Sequence, residues 1–338
     1  MKKIRICTIG AGFFAGFMHG PVLRALAQRD PALELAAVCD LDAERAKTFA
    51  AATGYRNWYT DFREMLDSER PDGVVLLTPV TATAAVGSAV LAAGYPAMLE
   101  KPPGRNRAEI TALIRASQQG NAPAMVAFNR RCSPLLTRGM ELLKQEAPEE
   151  KLEHIRCDFY RSERFDADFS TTAVHGIDAV RHLSGSRYAR VDFHYQELER
   201  DAGQICNFFL TGTMTGGCSV QLSFCPSTGA ALERFTLNTR SLTVSVESVP
   251  PGGGCDFPGR IFVYRGGKLL RIEAPPAHEF DREEFYLAGY YQENCRFIER
   301  LREGFPPEND LELSLEAVEI ADACRRRVPL WTAETVRS

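Results

Sequence analysis

No run of about 20 apolar residues, the length that crosses a bilayer, occurs anywhere in the 338-residue sequence. The amino end, MKKIRICTIG, has no apolar leader and no small-residue cleavage site. Positive charge is not in excess: 40 Lys and Arg against 44 Asp and Glu give a formal net charge of −4. That balance excludes the electrostatic footprint of nucleic-acid or anionic-membrane binding. Cys-x-x-Cys pairs are missing although there are ten cysteines. Cys7, Cys39, Cys157, Cys206 and Cys218 sit instead inside apolar or strand-like runs, as expected of reduced, buried thiols rather than a disulfide framework or a metal site. Repeats, low-complexity tracts and long linkers are also missing. These absences leave a soluble, cytoplasmic protein with no resident metal. Its length exceeds what one core usually supports, so two domains are expected.

The first 125 or so residues alternate strand and helix signals. IRICTIG (4–10), LELAAVCD (33–40), DGVVLLTP (72–79), PAMLEK and PAMVAFNRR read as strands. DAERAKTFAAAT, TATAAVGSAVLAAG and NRAEITALIRASQQG between them read as helices. Strands that are apolar throughout imply a parallel sheet covered on both faces. After about Asn129 the pattern changes. A helix (134–145) and the helical TTAVHGIDAVRHLSG are followed, from Ala189 to Glu273, by strands with partial alternation and Gly and Pro breaks. That reads as a mostly antiparallel sheet with one face packed and the other free. Two helices, at about 284–303 and 312–326, close the chain. The expected architecture is a doubly wound α/β Rossmann domain (1–127) followed by an α+β domain (128–338) built on a large open sheet.

TIGAGFFAG places Gly10, Gly12 and Ala15 in the G-x-G-x-x-G/A pattern, directly after a strand and at the start of a helix. Gly10 permits the tight turn, Gly12 lets backbone approach a pyrophosphate, and Ala15 lets helix and strand pack closely. The second strand ends in Asp40, placed to accept hydrogen bonds from a ribose diol and to repel a 2′-phosphate, which favours NAD(H) over NADP(H). The alternative is a structural turn in which Asp40 caps the next helix.

The segments GAGFFA, AVCDLDAERA, YTDFREML, PDGVVLLTP, AGYPAMLEKPP, NRR and HGIDAVRHLSG, in that order, resemble the glucose–fructose oxidoreductase, inositol dehydrogenase and MocA (Gfo/Idh/MocA) family. The likeness is dense over residues 4–131 and thinner beyond. It implies NAD bound across the carboxyl ends of the parallel strands, in contact with Gly10, Gly12, Phe13, Phe14 and Asp40. Thr78 and Pro79 would line the crevice, and Glu100 and Lys101 would stand near the nicotinamide. The resemblance also implies a sugar- or polyol-like substrate and a homodimer or homotetramer formed through the second-domain sheet. Two positions depart from the family pattern: Thr83 stands where a histidine is frequent, and Thr171 stands where polyol dehydrogenases carry an aspartate four residues before His175. The same family includes NAD-retaining glycoside hydrolases and non-catalytic NAD-binding regulators, and both stay open as alternatives.

Lys101 ends a parallel strand, where open α/β sheets bind ligands, and is the candidate proton-transfer or substrate-holding residue. A cis bond before Pro102 is plausible there. His175 starts a helix with Asp178 and His182 at i+3 and i+7, so the three can share a face. His175 is the candidate for assisting proton transfer or binding a hydroxyl, and Asp178 for orienting it. His182 and a zinc site from the trio are disfavoured, since helical spacing alone is poor evidence. Asp168 is the nearest acid upstream but is out of register. His19, with no partner in sequence, reads as structural. Arg130 and Arg131 either reach the cleft or form a solvated pair.

Overall fold

The computed structural model describes residues 2–165, 168–200, 203–248, 250–252, 258–304 and 310–333. Buried apolar runs set the first strands, and polar caps set where the helices between them start. β1 (Ile4–Ile9) leads through a π-helical turn (Ala15–His19) into α1 (Gly20–Arg29). β2 (Leu33–Cys39), buried along its whole length, is followed by α2 (Ala43–Thr53), whose first turn is capped by Asp42 accepting from the Arg45 amide. β3 (Asn57–Tyr59) and α3 (Phe62–Glu69) are joined at Asp61, which accepts from the Arg63 and Glu64 amides. β4 (Gly73–Leu76), α4 (Val80–Ala92), β5 (Ala97–Leu99), α5 (Arg107–Gly120) and β6 (Ala124–Val126) complete the alternation.

These six strands form one parallel sheet in the order β3-β2-β1-β4-β5-β6. The order reverses between β1 and β4, and open sheets bind ligands outside the carboxyl ends of their strands at such a reversal. The chain divides into two compact units, and the first comprises Met1–Asn129 together with Tyr290–Val318. The helix Tyr290–Glu303 supplies Phe297, Ile298 and Leu301 to the same core as Ile4, Ile6, Val75 and Met98. A Cβ at Gly73 would lie 2.5 Å from a Leu301 methyl carbon, so a side chain there would force the helix residues to repack. A single cut after residue 127 does not anticipate this return of the chain.

The second unit comprises Arg130–Gly289 and Glu319–Ser338. Its elements begin with α6 (Pro134–Glu146), β7 (His154–Tyr160), α7 (Ser170–Ser184), β8 (Tyr188–Arg200) and β9 (Gly203–Met214). β10 (Ser219–Cys225), β11 (Leu232–Asn238), β12 (Leu242–Ser248), β13 (Arg260–Arg265) and β14 (Lys268–Glu273) follow. The remaining elements in chain order are α8 (Glu284–Leu287), α9 (Tyr290–Glu303, the helix described above), α10 (Asp310–Arg325) and β15 (Leu330–Thr332). A nine-stranded sheet runs β14-β13-β12-β11-β7-β10-β9-β8-β15, antiparallel except where β7 pairs with β10. Buried residues alternate with half-buried ones along β11 and along β12 as far as Glu247. The buried side packs on α6 and α7: a Cβ at Gly139 would meet Val246, and one at Gly176 would lie 2.5 Å from the Phe159 ring. Small residues at these two points let helix and sheet approach.

The nine described cysteines form no disulfide with one another. Burial pushes the thiols of Cys7 and Cys39 up to about 12, which makes them unreactive. Among the described residues no helix is long and apolar enough to cross a membrane.

Candidate functional site

A cavity of about 700 Å³ opens at the sheet reversal of the first unit, within the size range of small-molecule sites. Its floor is the turn after β1. Gly10 has φ +101°, and a Cβ there would sit 2.5 Å from the Leu77 carbonyl oxygen, so glycine is required. Nothing lies within 4 Å of the Cβ direction of Gly12, which leaves backbone open toward the cavity. The helical turn begins with Gly16 N–H bonded to Gly12 O, 3.0 Å, and the earlier first-turn amides at Phe13, Phe14 and Ala15 have no acceptor within the helix. Ala15 is buried against the core. Phe13 stands exposed and stacks on Phe17, while Phe14 meets the edge of Tyr290.

Asp40 closes one end of the cavity. Its Oδ2 accepts the Ala11 amide (2.8 Å), and its Oδ1 accepts the Asp42 amide (3.0 Å) and Arg45 Nε (3.2 Å). The acid thus stitches the glycine turn to the end of β2, and the capping of α2 falls to Asp42. Leu41, Arg45, Phe62 and Arg63 line this end too, and sequence reasoning singled out none of them. Their signal was positional, since each follows the carboxyl end of β2 or β3, and Leu41 is 93% exposed.

On the opposite wall, Pro79 caps α4 and Thr83 turns inward, bonding Thr78 Oγ1, Thr78 O and Pro79 O at 3.1 Å each. Thr83, at the position where a histidine is frequent in the family, therefore closes the helix start. Glu100 and Lys101 complete the lining, and the Lys101–Pro102 bond is cis. Glu100 Oε2 accepts the Lys101 amide (2.9 Å) and Oε1 contacts His19 Nε2 (3.0 Å). Burial acts to raise the Glu100 carboxyl, but the His19 hydrogen bond and the nearby Lys101 charge outweigh it and hold it below the ordinary glutamate value. His19 thus has a partner 81 residues away. The open glycine backbone, the unpaired helix amides, the acid at the strand end and the mostly apolar walls together fit a dinucleotide.

The second unit holds the other expected residues. Asp168, just before the Phe169 N-cap of α7, accepts from the Ser170 amide (3.0 Å) and hydroxyl, and the Thr171 hydroxyl donates to Asp168 O (3.1 Å). The helix begins at Ser170 rather than at His175, so His175 lies in its second turn. Arg130 is buried and the Arg131 side chain is only 8% exposed, with both in ion pairs, which removes the solvated-pair reading. Arg130 Nη1 contacts both ring nitrogens of His175, at 3.3 and 3.2 Å. A guanidinium only donates, so an imidazole nitrogen bonded to it is unprotonated. Arg131 grips Asp178 through Nε and Nη2 (2.8 and 2.5 Å). The structure thus pairs His175 with Arg130 and Asp178 with Arg131, two consecutive arginines on two consecutive turns. His182 is exposed, and no metal-holding group of His, Cys, Asp or Glu occurs among the described residues. Glu233 on β11, unforeseen, is shared by Arg130 (2.6 and 3.0 Å) and Arg161 (2.5 Å). Burial would raise its carboxyl, but the two guanidinium charges prevail and hold it below the ordinary value.

Fold and crevice together define a dinucleotide-binding domain of Rossmann type. Residues 4–128 match the Gfo/Idh/MocA model, described as an oxidoreductase family with an NAD-binding Rossmann fold, and this domain belongs to that family. A D-apiose dehydrogenase of Paraburkholderia graminis is 30% identical over 138 residues, 40% of this chain and 35% of that protein. A levoglucosan dehydrogenase of Pseudarthrobacter phenanthrenivorans is 28% identical over 163 residues, 44% of this chain and 38% of that protein. The matches thus span well under half the length of these relatives. The whole fold is shared with an oxidoreductase from Agrobacterium radiobacter solved with NAD+, L-tartaric acid and magnesium: TM-score 0.79, 17% identity, 99% of this chain and 100% of that one.

Proposed function

We propose that the chain is an NAD(H)-dependent oxidoreductase that interconverts a hydroxyl and a keto group on a sugar, polyol or related small polar compound. The observation that carries this reading is that Lys101 lines the same cavity as the Gly10–Gly12 turn and Asp40. Bound NAD supplies a hydride acceptor for the carbinol C–H. The neutral amine of Lys101 takes the hydroxyl proton as the C=O bond forms, and its ammonium returns that proton when a ketone is reduced. Glu100, bonded to the Lys101 amide, fixes the backbone from which this side chain reaches. Within the second unit, the Arg131–Asp178 pair braces the helix that carries His175. The D-apiose and levoglucosan dehydrogenases among the relatives support a sugar-like substrate.

Preference for NAD rests on Asp40. A carboxylate held by two backbone amides puts fixed negative charge where a 2′-phosphate would stand. Like charges about 6 Å apart at an effective dielectric near 20 repel by about 3 kcal/mol. After screening, NADH should bind at least about tenfold more tightly than NADPH. Asp40→Ala should narrow that gap, because it also frees Arg45 to meet a phosphate. Fluorescence titration with both reduced cofactors reads this directly, and tighter NADPH binding by the wild type would overturn the argument. The activity itself is tested by following NADH formation over a panel of sugars and polyols.

A further inference from the structure

Behind the Glu100–Lys101 pair lies a buried run of side chains that neither cofactor binding nor proton transfer uses directly. His19 is completely buried in the π-helical turn. Its Nδ1 lies 3.3 Å from Asn294 Nδ2, and the same Nδ2 donates to the Tyr290 carbonyl at 2.8 Å. A backbone carbonyl can only accept, so this end of the Asn294 amide is its NH2 group. The second hydrogen of that NH2 group points to His19 Nδ1, which therefore carries a lone pair. The ring proton is left on Nε2, 3.0 Å from Glu100 Oε1. The Tyr290 ring packs edge-on against the imidazole, with centroids 5.2 Å apart. Glu100 then receives one bond from His19 and one from the Lys101 amide, and neither oxygen turns freely.

We propose that His19, its tautomer set by Asn294, is a positioning residue that holds Glu100 as a carboxylate beside Lys101 and thereby sets the protonation of the Lys101 amine. The role in proton transfer rests on the function proposed above, whereas the link from His19 to Lys101 does not. The titratable groups in contact here are His19, Glu100, Lys101 and Tyr290, and α9 also carries the buried Glu293 among its further ionisable side chains. Without the bond from His19, a buried carboxyl is driven toward its neutral form. Lys101 then loses the neighbouring negative charge that favours its ammonium.

Two measurements that need no substrate test this. In wild-type protein with 15N-labelled histidine, the His19 ring should show a protonated Nε2 and an unprotonated Nδ1, and a protonated Nδ1 would overturn the assignment. Acylation of Lys101 by acetic anhydride, followed across pH by mass spectrometry, should be roughly tenfold faster at a given pH below its midpoint in His19→Leu and in Glu100→Gln. His19→Gln keeps a donor toward Glu100 and an acceptor toward Asn294, so it should restore the wild-type profile. Equal Lys101 profiles in wild type and folded Glu100→Gln would sink the proposal even if His19→Leu failed to fold. Absence of turnover on every sugar would instead count against the proposed function and leave these two readouts unchanged.

Discussion

Lys101→Ala should lower turnover by roughly two to four orders of magnitude, the usual share of a positioned acid or base, with NADH affinity nearly unchanged. The separation of the two effects follows from where the side chain begins. The contact that organises this wall runs from the Lys101 backbone amide to Glu100, and any residue at 101 other than proline keeps it. The His19–Glu100 pair, the Gly10–Gly12 turn and the Asp40 stitch to Ala11 are likewise untouched. Only the amine leaves the cavity. Lys101→Arg should not rescue turnover, because a guanidinium cannot give up its proton at working pH. Steady-state kinetics beside a cofactor titration checks both halves. Wild-type kcat in Lys101→Ala would remove the residue from the reaction.

Glu233→Ala should destabilise the second unit by about 3–5 kcal/mol, the range for removing one partner of a buried ion pair. Glu233 balances two buried guanidiniums, those of Arg130 and Arg161, and Arg130 in turn bears on His175. Taking the carboxylate away leaves these cations in low dielectric without their shared counter-ion and frees the rotamer that sets the His175 contact. The sign with pH is fixed by the lowered Glu233 pKa. The stabilisation is fully present above the ordinary glutamate value near 4.3 and is lost as pH falls through the lower folded value. Denaturant unfolding at neutral and acid pH measures it. A deficit that is large at pH 7 and shrinks in acid is expected, whereas an equal midpoint for variant and wild type at pH 7 would contradict the role given to Glu233.

What could be read from the sequence was what the chain encodes locally. Gly10, Gly12 and Ala15 sit in one turn, Asp40 ends the next strand, and Lys101 ends another, so a βα register alone places them at one sheet edge. The alternation on β11 and β12 exposed the one-sided sheet in the same way. What escaped reading depends on pairing at long range. His19 meets Glu100 across 81 residues and Asn294 across 275, and Arg130 meets Glu233 across 103. No periodicity records such partners. The return of α9 to the first unit was hidden for a related reason: its apolar face is ordinary, and only Gly73 across the chain shows where it packs. Arg45 and Phe62 were missed because residues just past a strand end look like loop until the cavity gives them a common wall.

The central claim is hydride transfer from a carbinol carbon to NAD with Lys101 managing the proton. Its most direct test is incubation with NAD and a panel of aldoses, polyols and anhydrosugars deuterated at their carbinol positions, with mass spectrometry of the recovered cofactor. The account predicts deuterium in NADH, one NADH for each carbonyl formed, and loss of both in Lys101→Ala. Sugar cleavage with no net NADH, or tight NAD binding with no deuterium transferred from any compound, would contradict it.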